Sequence, residues 1–168
     1  MEIIIIDSNI LFQLEYGGLI DAAFSLKKYK MLTTSLIFEN EVRRNYLCDR
    51  GLEIRDLSEH EVSRLEMLAA IKHPGGAYAP GKPDISTFVL AESLNAKLIT
   101  GDAGLRTLSE KLGVEVHGLI WFINELFEEK IIDSKQAKCF YEAVLFFGGR
   151  LPVEEIEKQL KRFEKSER

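Results

Sequence analysis

Four acidic residues far apart in the chain, Asp7, Glu41, Asp84 and Asp102, are the groups best suited to act together. Gathered in one place they would form a cluster of hard oxygen donors. Ionised carboxylates at close range repel and raise one another's pKa, and divalent cations relieve that repulsion. An all-carboxylate set selects Mg²⁺ or Mn²⁺ rather than zinc. Two such ions about 3.5–4 Å apart can hold an attacking water and a leaving oxygen in line across a phosphodiester. His60, His73 and His117 show no spacing suited to ligating a metal. Each acid also has a plain structural reading. Asp7 can end a strand in a turn, and Asp84 and Asp102 can be helix N-caps. Glu41 is one helical acid among several, and Glu39 competes with it.

The elements that would have to position these acids can be read from hydrophobic patterning. Glu2-Ile3-Ile4-Ile5-Ile6 is short, β-branched and apolar, as a central strand buried on both faces requires. Helical patterning follows over 10–28, broken near Gly17-Gly18, and then a strand near 30–33. Ser35 opens a helix expected to reach Leu47. Residues 52–57 read as a strand, and Ser58-Glu59-His60-Glu61 is a capping box that starts a helix to about Ile71. The Pro- and Gly-rich stretch 73–83 is a loop. A helix from Asp84 to about Asn95 leads into a strand at Lys97–Thr100. A helix at 103–112 ends at Gly113, and Val114-Glu115-Val116 is a short strand. From Gly118 onward the pattern is helical, with Asp133 as a cap, Gly148-Gly149 as a stop and Pro152 at a first-turn position.

Short apolar strands alternating with helices predict an α/β/α sandwich around a parallel sheet of about five strands, with a C-terminal helical extension. The expected division is a catalytic-type domain over 1–127 and helices over 128–168 packed on it. Such sheets bind ligands beyond the carboxyl ends of their strands. Asp7 and Asp102 directly follow strands, and Asp84 begins a helix that returns to a strand's start. Glu41 lies about six residues into its helix, ~9 Å below the edge at ~1.5 Å per residue, and must lean inward.

Composition narrows the class further. At 168 residues, with 46% hydrophobic and 29% charged, the chain suits one soluble domain. The net charge of −5 argues against a protein that coats nucleic acid, but an acid-lined metal site lowers net charge by itself. The basic clumps Lys27, Lys28 and Lys30, and Arg43 with Arg44, are the weak candidates for phosphate contact. Cys48 and Cys139 form no CxxC pair and are expected as reduced, packed thiols. No apolar run spans a bilayer and no signal peptide is recognisable, so a cytoplasmic location is expected.

At this point the chain resembles the PIN-domain ribonucleases. Ile5-Ile6-Asp7-Ser8-Asn9-Ile10-Leu11 is similar to that family's opening strand and Asp-Ser/Thr-Asn turn. Glu41-Val42-Arg43-Arg44 follows, then Asp84, then Leu90 through Thr100-Gly101-Asp102, which resembles the alanine-rich helix and the strand ending in Thr-x-Asp. Gly113-Val114-Glu115-Val116 is similar to the short closing strand. The resemblance covers residues 1 to about 127. The C-terminal helices resemble a branch close to the toxins of VapC-type toxin–antitoxin pairs. It implies an endoribonuclease using Mg²⁺ or Mn²⁺, an RNA substrate, an antitoxin partner and a homodimer. Asp7 would be the central ligand, with Glu41, Asp84 and Asp102 completing the metal and water shell, and Asn9 and Thr100 as polar supports. Glu41 is preferred to Glu39 because Phe38 and Val42 match the family's apolar spacing. Family members often carry a second aspartate where Gly101 stands, so at most four acids are available here.

Three other readings compete. A phosphatase-type nucleophile would want an aspartate where Asn9 stands. A phosphoacceptor receiver would want one at the end of the third strand, where only Asp56 is near. A non-catalytic RNA- or protein-binding module on the same fold is the rival of a different class. Phe140, Tyr141, Phe146 and Phe147 could then bury against a partner, against the plainer expectation of core packing.

Overall fold

A computed structural model of the chain describes residues 1–71 and 80–168. The expected loop at 73–83, and His73 with it, lies outside the described residues as far as residue 79.

The apolar run forms β1 (Glu2–Ile6) at the centre of a five-stranded sheet. Its neighbours are β2 (Tyr29–Thr34) and β4 (Lys97–Ile99), with β3 (Glu53–Arg55) and β5 (Val116–His117) at the edges. The order is β3-β2-β1-β4-β5 and every pairing is parallel. Successive side chains of β1 point to opposite faces. Ile4 and Ile6 therefore enter one buried cluster and Ile5 the other. The first cluster is built with α1 (Ser8–Tyr16), α2 (Ile20–Phe24) and the C-terminal helices. The second is built with α5 (Glu59–Ala69), α6 (Lys82–Leu94) and α7 (Ala103–Leu112). The three-layer sandwich read from the alternation of strands and helices is the architecture observed.

The helix expected from Ser35 to Leu47 is not continuous. α3 (Ser35–Ile37) passes into a π-helical turn over Phe38–Val42, then breaks at Arg43, whose φ of 46° is left-handed. A separate α4 (Tyr46–Arg50) follows. Residues five apart point about 140° apart on an α-helix. The wider turn, closed by the Arg43 N–H donating to the Phe38 carbonyl at 2.8 Å, lets Ile37 and Val42 both face the core. The closing strand sits two residues later than its apolar pattern suggests, at Val116–His117. Cys48 and Cys139 are unbonded but exposed rather than packed, because each falls on the solvent side of its helix.

α8 (Leu119–Glu128), α9 (Ser134–Phe146) and α10 (Val153–Ser166) share one buried cluster with β1 and α1. Phe140 and Tyr141 are buried, whereas Phe146 and Phe147 are 84% and 63% exposed, so the aromatic group divides between core and surface. α9 comes close to the end of α1 at Gly17, where an added Cβ would lie 2.1 Å from Cδ2 of the buried Phe140. Gly17 has φ −82°, which any residue adopts, so the demand there is purely for space. Gly17→Ala is expected to lower stability by ~1–3 kcal/mol through overpacking. Denaturant unfolding measures it, and a neutral result would mean α9 does not seat on α1 as described.

Candidate metal centre

β1 is flanked by β2 on one side and β4 on the other, so the crevice beyond its carboxyl end is where this topology gathers polar groups. Asp7 stands at that point. It is 2% exposed and is the N-cap of α1. One carboxylate oxygen accepts from the Ser8 N–H at 2.9 Å, and the other accepts from the Thr100 hydroxyl at 2.7 Å. Thr100, fully buried at the end of β4, also accepts from the Asp102 N–H at 3.1 Å, which locks its hydroxyl toward Asp7.

Asp7, Glu41 and Asp84 each offer an oxygen, and the three oxygens lie within 4.8 Å of one another. Glu41 reaches the site from the π-helical turn, and its carboxylate accepts from the Ser8 hydroxyl. Thr34 fixes the start of that segment by accepting from the Ile37 N–H at 3.2 Å and pairs with Ser86 of α6 at 2.7 Å. Glu39 is exposed and does not belong to the group. Asp84 is in the first turn of α6, two residues after its start, and reaches back to accept from the Gly81 N–H at 3.3 Å.

Asp102 stands beside the group rather than in it. One of its oxygens caps α7 by accepting from the Leu105 N–H at 2.7 Å, yet its charge is close enough to raise the pKa of Asp84. Capping and metal ligation do not exclude each other here. A carboxylate has two oxygens, and in Asp84 and Asp102 the cap bonds named occupy one. Asn9 braces the neighbouring turn: its side-chain oxygen accepts from the Gly101 N–H at 3.3 Å. A Cβ at Gly101 would come within 3.2 Å of the Asn9 amide nitrogen, so a residue with a side chain there would displace Asn9.

Burial and charge crowding leave a clear electrostatic imprint. Desolvation is the largest influence on Asp7, and Asp84 and Glu41 add repulsion, pushing its pKa up to about 7 against the lowering effect of Thr100 and Ser8. Asp84 is raised by partial burial first, then by Glu41 and Asp102. Like charges about 5 Å apart at an effective dielectric of ~20 repel by ~3 kcal/mol. A hard divalent cation would remove that cost, and three convergent carboxylate oxygens with no histidine or thiolate are the donors it takes.

Ser8 stands in the Asp-Ser-Asn turn but with no role read for it, and Thr34 and Ser86 carry no distinguishing spacing in the sequence. Their signal is tertiary: polar groups buried at one sheet edge. Four members of the basic clumps are engaged elsewhere. Lys28 pairs with Glu125 and Lys30 with Glu53. Arg44 pairs with Glu15 at 3.1 Å, and the Arg43 guanidinium donates to the Glu39 carbonyl.

A parallel, doubly covered sheet with acids convergent at its switch point defines an α/β protein with a cluster that could hold a metal ion. The family model described as PIN domain matches residues 3–165, and the chain belongs to the PIN-domain family. A search of curated proteins gives no significant match. Among solved structures, a PilT N-terminus domain protein from the hyperthermophilic archaeon Sulfolobus solfataricus is similar at 20% identity and a TM-score of 0.50, covering 74% of this chain and 92% of that one. That likeness supports the fold. No helix among the described residues is long and apolar enough to cross a membrane.

Proposed function

We propose that this chain is an endoribonuclease that hydrolyses RNA phosphodiester bonds with Mg²⁺ or Mn²⁺. The observation that carries the reading is a buried aspartate, Asp7, sharing a 4.8 Å group with Glu41 and Asp84 at the sheet's switch point. A cation held there would supply Lewis-acid chemistry, activating water and offsetting phosphate charge. The chain's own residues do the positioning. Ser8 and Thr100 fix the two oxygens of Asp7, and Ser8 also tethers Glu41. Asp84, with its pKa raised, is the group best matched to take a proton from an attacking water. Asp102, whose charge acts on Asp84, would complete the metal and water shell.

The toxin role, the antitoxin, the homodimer and the cytoplasmic setting extend this proposal. The first three rest on the resemblance of the C-terminal helices. Intact acids at all four positions favour catalysis over a non-catalytic module on the same fold.

The test compares cleavage of single-stranded RNA in Mg²⁺ or Mn²⁺ with cleavage in EDTA, and then compares two neighbouring glutamates. Glu41→Gln is expected to slow cleavage by roughly a hundredfold or more, ~2.7 kcal/mol of barrier. Glu39→Gln, away from the acid group, is expected to change it by less than about twofold, under ~0.5 kcal/mol. Equal losses would place the second acid wrongly. Cleavage that persists in EDTA would remove the metal-dependent reading.

A further inference from the structure

A groove of ≈ 890 Å³ lies between the turns that flank the acid site and the C-terminal helices. Asn9 and Gly101 line it, two residues after Asp7 and one residue after Thr100, although the acids themselves are not among its lining residues. Its outer walls come from α7, α8 and α10. Although the chain carries a net charge of −5, this groove collects Arg106, Arg150, Lys158 and Arg162 against the single acid Glu155. Arg162 is already held by Glu128 and Asn124. Among the described residues Arg106, Arg150 and Lys158 make no ion pair, unlike Lys28, Lys30 and Arg44 of the basic clumps. Arg106 crosses the start of α8 close over Gly118, where an added Cβ would lie 3.1 Å from its Nη2. The same groove is lined by His117 stacked on Trp121, with ring centroids 4.2 Å apart and planes within 11°.

Unpaired cations along a groove attract a phosphate backbone, and an aromatic stack at its wall offers π surface to an unpaired base. We infer that this groove binds a single-stranded RNA segment leading away from the scissile phosphate, with Arg106, Arg150 and Lys158 on its phosphates and a base against the His117–Trp121 stack. The inference rests on the nuclease reading for its direction, since Asn9 and Gly101, which adjoin the acid site in the chain, line the groove. It makes the C-terminal helices part of the substrate path and not only a cover for the sheet.

The experiment uses the full chain and a fluorescent single-stranded oligoribonucleotide, with affinity measured by anisotropy in EDTA over a range of salt. Arg150 and Lys158 are exposed, so Arg150→Glu with Lys158→Glu should leave the fold intact, which circular dichroism checks. The double variant should bind at least roughly tenfold more weakly, and its salt slope should fall by about 1.4, at ~0.7 per lost single-strand phosphate contact. Arg106→Gln should weaken binding in the same direction with a smaller change of slope. His117→Ala should weaken binding without changing the slope. Mn²⁺ binding by calorimetry, and hydrolysis of a small aryl phosphodiester, should match wild type in the double variant. Unchanged RNA affinity and slope would overturn the groove while leaving the nuclease reading intact. If the wild type neither binds Mn²⁺ nor cleaves, but the double variant still loses RNA affinity, the nuclease reading fails and the groove stands. Equal affinity for a duplex of the same sequence, or equal displacement by polyglutamate at matched charge, would overturn the assignment to unpaired RNA.

Discussion

Asp7→Asn is expected to abolish RNA hydrolysis, with a loss of at least about a thousandfold, ~4 kcal/mol of barrier. Asp7 is the buried member of the acid group and meets both Glu41 and Asp84 there. Asparagine keeps its shape and remains a good N-cap, so its side-chain oxygen can still accept from Ser8 at the start of α1. What it loses is the charge and the second acceptor oxygen, which now takes the Thr100 hydroxyl. That hydroxyl can turn to accept from the new amide, so the fold should survive. The measurement is single-turnover cleavage alongside Mn²⁺ calorimetry and near-ultraviolet circular dichroism. Loss of both cleavage and Mn²⁺ binding with the spectrum retained is the expected pattern. Wild-type rates in the variant, after contaminating nuclease is excluded, would show that Asp7 is only a cap.

The second large effect is a stability that depends on pH and metal together. The folded-state pKa of Asp7 is raised, from an ordinary carboxylate value to about 7. A raised carboxylate pKa means that the fold prefers the protonated form. The stability it contributes is therefore present at low pH and is lost as pH rises from about 4 through 7. At ~1.4 kcal/mol per pH unit, up to ~4 kcal/mol is lost across that window. Asp84 acts in the same direction. Glu2 and Glu61 have lowered values, so their opposite effect falls below this range. Without metal, the protein should melt lower at pH 8 than at pH 5.5. A cation binding only the folded state adds ~2.7 kcal/mol at 100 times its Kd, worth roughly 5–10 °C for a domain of this size. Because the cation must displace the proton from Asp7, the Mn²⁺ shift should be larger at pH 8 than at pH 5.5. Asp7→Asn should flatten both dependences. Thermal melts at the two pH values, with Mn²⁺ or EDTA, decide the matter. A metal-free protein more stable at pH 8, or an equal Mn²⁺ shift at both, would contradict the buried acid cluster.

Much of this was legible in the chain itself. Five short apolar segments separated by helical patterns can bury both faces of each strand only in a parallel sandwich, which is why the architecture follows from local periodicity. The same reasoning places Asp7, Asp84 and Asp102 near one edge, because each adjoins the end of a strand or the start of a returning helix. The capping box at Ser58 and the stop at Gly113 are local chemistry and appear where their residues stand.

Other features depended on contacts that sequence spacing does not encode. Glu41 joins the site through a π-helical turn, which forms because Ile37 and Val42 must both be buried, a demand set by the packed core. Asp84 and Asp102 both cap helices, yet only Asp84 joins the group of three, a distinction that spacing in the chain does not carry. Ser8 is joined to Glu41 across 33 residues, and Arg106 of α7, Arg150 from the segment before α10 and Lys158 of α10 line one groove. Lys28, Lys30 and Arg44, from the basic clumps, instead form ion pairs with acids on other elements. The sequence determined which groups could act and at which edge of the sheet. The packing of α8 and α10 decided which charges remain unpaired beside that edge, because long-range neighbours alone determine whether a cation meets an acid.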